Sequence, residues 1–74
     1  MNTEQIENKV IEIISAVLKT PVDSESSHET LKAWDSLKHV EIVFALEDEF
    51  DVMFEEEVLS ELNSVKKISQ KLME

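Results

Sequence analysis

The chain contains no cysteine. No disulfide framework and no thiolate metal site can form, and no thiol chemistry can come from the chain itself. It contains no glycine either. That excludes glycine-dependent phosphate loops, dinucleotide fingerprints and the nucleophile elbow of serine hydrolases. No apolar run approaches the roughly 20 residues needed to span a bilayer. The start, "MNTEQIENKV", lacks a basic segment followed by an apolar one, so no signal peptide is expected and the cytoplasm is the simplest location. At 74 residues the chain is expected to form one domain, residues 1–74. Such a chain buries about 60% of the surface it exposes when unfolded. A deep substrate cleft would consume much of so small a core, which argues against a self-sufficient enzyme.

Positive charge is also scarce. Seven basic residues face 17 acidic ones, a net charge of −10. From Asp35 to Glu61 the lone base is Lys38, among Asp35, Glu41, Glu47, Asp48, Glu49, Asp51, Glu55, Glu56, Glu57 and Glu61. Phosphate recognition needs the opposite sign, so nucleic acid is not an expected partner. A basic protein surface is, through steering and complementary potential. The plainer reading is that the acidity keeps a small protein soluble. "DEFDVMFEEE" is rich in carboxylates but lacks the spacing and the sharp-turn glycine of a calcium loop, so no dedicated metal site is expected.

What is present is helical pattern. Ile6, Val10, Ile13, Ile14 and Val17 form one stripe over residues 3 to 18, with Thr3 placed to cap and Pro21 to stop the helix. A polar, serine-rich stretch of about fifteen residues follows, "TPVDSESSHETLKAW". Val22, Leu31 and Trp34 are its sizeable apolar residues and should pin it to the core. Ser26, Ser27 and His28 read as ordinary loop residues. A second helix is predicted from Ser36 to Phe50, a short third from Glu56 to Leu62, and a fourth capped by Ser64 with Val65, Ile68 and Leu72 facing inward. The sum is an all-α fold: a small four-helix bundle with a long loop between helices 1 and 2 and a short third helix.

The second helix carries more apolar surface than a bundle needs. At about 100° per residue, Ile42, Val43, Leu46 and Phe50 share one side with His39 and complete a core stripe. Leu37, Val40 and Phe44 fall on the opposite side among Glu41, Glu47 and Asp48. An apolar centre with a charged rim has the composition of a docking surface. The plainer reading leaves Leu37 and Val40 half-buried under the preceding loop and Phe44 a chance exposure. Asp35 can cap this helix from the side chain by accepting a backbone N–H near Lys38. Ser36 is then left in the first turn with its hydroxyl facing solvent, where backbone N–H groups favour an attached anion such as a phosphate ester. A nucleophilic serine would need a base within reach and a third group to orient it. His39 projects to the core side and nothing in the sequence brings His28 near. No catalytic residue is therefore assigned.

The residues just described carry a family resemblance. "DSL" opening an acidic helix, followed at fixed distance by "VEIVFALEDEF", resembles the acyl carrier proteins. The resemblance extends through the third helix into "LNSVKKISQKL" and covers essentially the whole chain. It implies that Ser36 receives phosphopantetheine from coenzyme A through a separate phosphopantetheinyl transferase, usually with magnesium. Acyl groups then ride as thioesters on a sulfur that the chain itself lacks. It further implies that loading and transfer enzymes dock basic patches on Asp35, Leu37, Val40, Glu41, Phe44, Glu47 and Asp48, and that the carrier is a monomer without membrane insertion. Common members have glycine-containing sequence before D-S-L and glycine after E-F, where this chain has Ala33-Trp34 and Asp51. The "WDSL-x-H" form, with "F-x-x-E" after the second helix, looks like stand-alone carriers of specialised pathways, in place of fatty acid synthesis for membranes. Two alternatives remain: an aminoacyl or peptidyl carrier, and an unmodified acidic interaction module.

Overall fold

The helices follow from where the apolar residues recur and from what ends each run. The computed structural model describes residues 3–73, the side chain of Thr3 excepted. Helix α1 spans Thr3–Leu18, α2 Ser36–Phe50, α3 Glu56–Leu59 and α4 Val65–Met73. Helix α1 already includes Thr3, and the position before it, where a cap would sit, lies outside the described residues. Its buried line is Ile6, Val10, Ile14 and Leu18, with Ile13 and Val17 packed half-buried beside it. Four-residue spacing keeps that line on one face. Helix α1 packs against both α4 and α2. Ile42 and Leu46 from α2, Leu62, and Val65 and Ile68 from α4 close the core around it. This is the small helical bundle that the periodicity predicts.

Two helix ends use a conformation that normally suits glycine. Lys19 follows α1 with φ 56°, and Asp51 follows α2 with φ 53° and ψ 49°. Both lie in the left-handed region that turns a chain out of a helix. The Lys19 N–H donates to the Ser15 carbonyl at 2.8 Å, and the Val52 N–H to that of Glu47 at 3.1 Å. Glu47 also reaches forward, accepting the Phe54 N–H on its carboxylate at 2.9 Å. The exit from α2 is thus fixed by one residue's main chain and side chain together.

Helix α3 is shorter than the sequence suggests. It ends at Leu59 rather than Leu62, and none of its residues is fully buried. Residues 60 and 61 continue as a turn, with Glu61 N–H on the Val58 carbonyl and Leu62 N–H on that of Leu59. The turn swings Leu62 into the core at 2% exposure. A continued α-helix would not keep the tighter three-residue bonding seen here. Helix α4 begins as predicted, with the Ser64 Oγ accepting the Lys67 N–H at 3.1 Å.

The long loop is tied down rather than loose. Val22 and Leu31 pack on the core and Trp34 enters it, 1% exposed. The His28 N–H donates to the Asn63 carbonyl at 2.8 Å, and the Val65 N–H to that of Ser26 at 3.1 Å. These bonds splice the loop to the start of α4. Ser26 is itself buried, its hydroxyl accepting the Asp23 N–H and donating to the Asp23 carboxylate. Outside, Lys66 pairs with Glu25 at 2.8 Å, and that carboxylate raises the Lys66 ammonium above its ordinary value. Among the described residues no helix is long and apolar enough to cross a membrane.

Candidate functional site

The site is built where the long loop meets the start of α2. The Asp35 carboxylate accepts the Lys38 N–H at 2.9 Å, and its carbonyl accepts the His39 N–H at 2.8 Å. Asp35 is therefore the N-cap, as its position before the apolar run predicts. Ser36 follows as the first helical residue. Its side chain is exposed and, among the described residues, its hydroxyl has no hydrogen-bond partner. A capping serine would spend its oxygen on the backbone. Here the aspartate does that work and the serine oxygen is left available.

Trp34 sets the direction in which this turn leaves the loop, and both histidines of the chain hold it. The Trp34 carbonyl accepts from His28 Nδ1 at 2.6 Å. The indole Nε1–H donates to His39 Nδ1 at 3.0 Å. His39 Nε2 in turn lies 2.7 Å from the Leu59 carbonyl. These roles fix the neutral His39 tautomer: Nδ1 accepts, and Nε2 carries the hydrogen that it donates to Leu59. The two rings stack with centroids 6.2 Å apart. His39 is thus a structural link between loop, α2 and α3, in line with its expected place on the core side of α2.

His28 was not expected here. It lines one cleft with Ser36, His39, Ser60 and Asn63. Its backbone bond to Asn63 and its ring bond to Trp34 bring it there, and neither partner has a recognisable spacing in the sequence. His39 cannot serve Ser36 as a base, because its Nδ1 is occupied by the indole and its Nε2 by a carbonyl. Among the described residues no three His, Asp or Glu side chains converge to hold a metal ion.

The outer face of α2 is exposed. Leu37 is 73%, Val40 48% and Phe44 64% accessible. The loop covers none of them, so the half-buried reading does not hold. The acids around them differ. Asp48 is exposed, Glu41 pairs with Lys38 at 3.1 Å, and Glu47 is half-buried through its bond to Phe54. Glu47 therefore has a structural task beyond any docking role, which helical projection could not reveal.

A family described as the phosphopantetheine attachment site matches residues 8–72. The chain belongs to that family. It is also 38% identical over 66 residues to an acyl carrier protein of Buchnera aphidicola subsp. Schizaphis graminum (strain Sg), a match covering 84% of this chain and 82% of that protein. A member of this family is a carrier rather than an enzyme, and tethers acyl groups on a covalently attached phosphopantetheine. The geometry suits such a group: an accessible serine oxygen without a partner, at a helix start whose N–H groups favour the phosphate, beside a cleft.

Proposed function

We propose that residues 1–74 act as one carrier unit and that Ser36 is its attachment point. The observation that carries the assignment is the division of labour at the head of α2. Asp35 caps the helix, and the next residue presents an unpartnered hydroxyl to solvent. In the loading reaction the Ser36 oxygen forms a bond to the phosphorus that bears the pantetheine half of coenzyme A. The pyrophosphate bond breaks, the nucleotide half leaves, and the serine proton passes to the transferase. Once attached, the group supplies a thiol on which acyl cargo is carried as a thioester. The chain contributes placement: tethering raises the cargo's effective concentration at a docked enzyme.

The partners are a phosphopantetheinyl transferase and acyl-handling enzymes. Their docking surface on this chain is Leu37, Val40 and Phe44, rimmed by Asp35, Glu41, Glu47 and Asp48. Exposure of three large apolar side chains within an acidic rim supports it. The matching surfaces on the enzymes carry basic patches, giving fast and salt-sensitive encounter. The carrier works as a monomer in the cytoplasm. The Trp34–His39 bond gives the "WDSL-x-H" form a physical basis, and that form supports service in a specialised pathway.

The test is intact-protein mass after incubation with coenzyme A, magnesium and a broad-specificity transferase, wild type beside Ser36→Ala. Addition of one phosphopantetheine to wild type alone is the expected result. No addition to a folded wild-type chain would sink the carrier assignment. The acidic helix would then be the surface of an unmodified interaction module.

A further inference from the structure

Helix α4 runs against the charge of the rest of the chain. It holds Lys66, Lys67 and Lys71, three of the seven bases, and none of the 17 acids. Stability does not ask for this pattern where the helix begins. Lys66 and Lys67 stand in the first turn, where unpaired N–H groups and the helix dipole favour negative charge. Lys66 is compensated by Glu25 at 2.8 Å. Lys67 is exposed, and among the described residues its ammonium has no partner. Lys71 lies four residues further on, and a like-charge pair at that spacing disfavours a helix. The place of Lys71 in the last turn suits the dipole there. No such account covers Lys67.

Lys67 and Lys71 line a cleft of about 240 Å³ together with Val58, Glu61, Leu62 and Gln70. One wall is α4, and the other is α3 with the turn that follows it. Val58 is half-buried and Leu62 buried, and they form the apolar part of the lining. The Gln70 side chain is exposed and, among the described residues, has no partner, so it can both donate and accept. Glu61 is the lone acid of the lining. None of these residues belongs to the outer apolar face of α2 or to the cleft beside Ser36. The volume is below the roughly 300–1,000 Å³ usual for small-molecule sites. It suits one or two protruding side chains better than a cofactor.

We propose that this cleft between α3 and α4 is a second docking surface whose occupant is an acidic segment of another protein, with carboxylates on Lys67 and Lys71 and a neighbouring apolar side chain on Val58. Charge complementarity selects the occupant. A carboxylate at Lys67 supplies the negative charge that the first turn of α4 lacks. Gln70 bonds the segment's backbone. A flat anionic surface fits less well, because it would meet the acids of a chain whose net charge is −10. A second copy of the chain meets the same repulsion. A narrow segment reaches the lysines alone. At physiological salt the Debye length of about 8 Å screens the remote acids and leaves the contacts in the cleft. The proposal does not depend on the role of Ser36. The two surfaces share no residue, so an enzyme on the outer face of α2 does not compete for this cleft directly.

The probe is a fluorescein-labelled synthetic peptide of glutamate and leucine, titrated with the whole chain and followed by anisotropy. Its control has glutamine in place of glutamate. Wild type should bind the acidic peptide and not the control. Lys67→Glu should weaken binding at least about tenfold. The same variant should raise the melting temperature, because it puts a negative charge in the first turn of α4, so lost binding is not lost folding. Glu61→Gln should tighten binding by removing the carboxylate of the lining. Amide shifts caused by the peptide should fall on Val58, Gln70 and Lys71. No binding by wild type, equal binding of the glutamine peptide, an unchanged affinity in Lys67→Glu, or shifts on Leu37, Val40 and Phe44 instead would each overturn the proposal. So would stronger sedimentation with phosphatidylglycerol than with phosphatidylcholine vesicles, which assigns the cleft to lipid. A concentration-dependent dimer that Lys67→Glu abolishes would overturn it too, by assigning the cleft to a second copy.

Discussion

Removing the His39 ring by His39→Ala should cost a large share of the stability of this domain. The ring supplies two hydrogen bonds, one from the Trp34 indole at 3.0 Å and one to the Leu59 carbonyl at 2.7 Å. The partners are not equally hidden. Trp34 is 1% exposed, so its N–H loses its acceptor with no water to replace it, at about 1–3 kcal/mol. Leu59 is half-buried rather than fully buried, so losing the bond at its carbonyl should cost less. The sum is about 2–3 kcal/mol, against about 4–11 kcal/mol for a chain of this length. In urea, at about 1 kcal/mol per molar, the midpoint should fall by about 2–3 M, followed by helical circular dichroism. A second variant separates the bond from the packing. Trp34→Phe with His39→Leu removes both polar partners, so the pair should cost clearly less than the two single changes added together. A His39→Ala cost below about 0.5 kcal/mol, or strictly additive singles, would refute the linkage.

Three other outcomes follow from single residues. Ser69 lies in α4 at 2% exposure with, among the described residues, no partner for its hydroxyl, so Ser69→Ala should stabilise by about 1 kcal/mol in the same denaturation assay; a loss of stability would mean that the oxygen is bonded in solution. Asp51→Gly should stabilise by about 0.5–1 kcal/mol because glycine relieves the left-handed backbone at φ 53°, and an unchanged unfolding midpoint would show that the aspartate bears no strain there. Asp48→Lys and Glu41→Lys should slow loading by the transferase more at low salt than at high salt, and equal slowing at both would count against the acidic rim. Glu47→Lys is a poorer probe, because it also removes the acceptor of the Phe54 N–H.

Much of this arrangement is legible in the sequence because it depends on local spacing. The bounds of α1 and α2, the Asp35 and Ser64 caps and the inward line of α4 each follow from residues within a few turns of one another. The end of α3 does not. Leu59 and Leu62 fit one helical face, but the tertiary demand to bury Leu62 replaces the last turn with tighter bonds. The role of His28 is hidden for a related reason. It depends on pairing with Asn63, 35 positions away, and a lone loop histidine gives no hint of that partner. Glu47 lies between the two cases: projection puts it on the outer face, and the return of the chain at Phe54 takes its carboxylate.

The contrast between the two apolar stripes of α2 explains why function is readable at all in so short a chain. Folding accounts for Ile42, Val43 and Leu46, which are buried and contribute about 1.5–3 kcal/mol each when fully removed from water. It does not account for Leu37, Val40 and Phe44, which stay largely in solvent and give the isolated chain little of that stabilisation. A sequence shaped by stability alone would place polar residues there and give α2 one clean apolar face. The same reasoning applies at the helix start. Serine in place of alanine in the first turn adds no bond to the protein, because Asp35 already caps it. The residues that do least for the isolated fold gather on one turn and one face of the same helix, and that placement is what supports the proposal that Ser36 takes the arm and the outer face of α2 meets the enzymes.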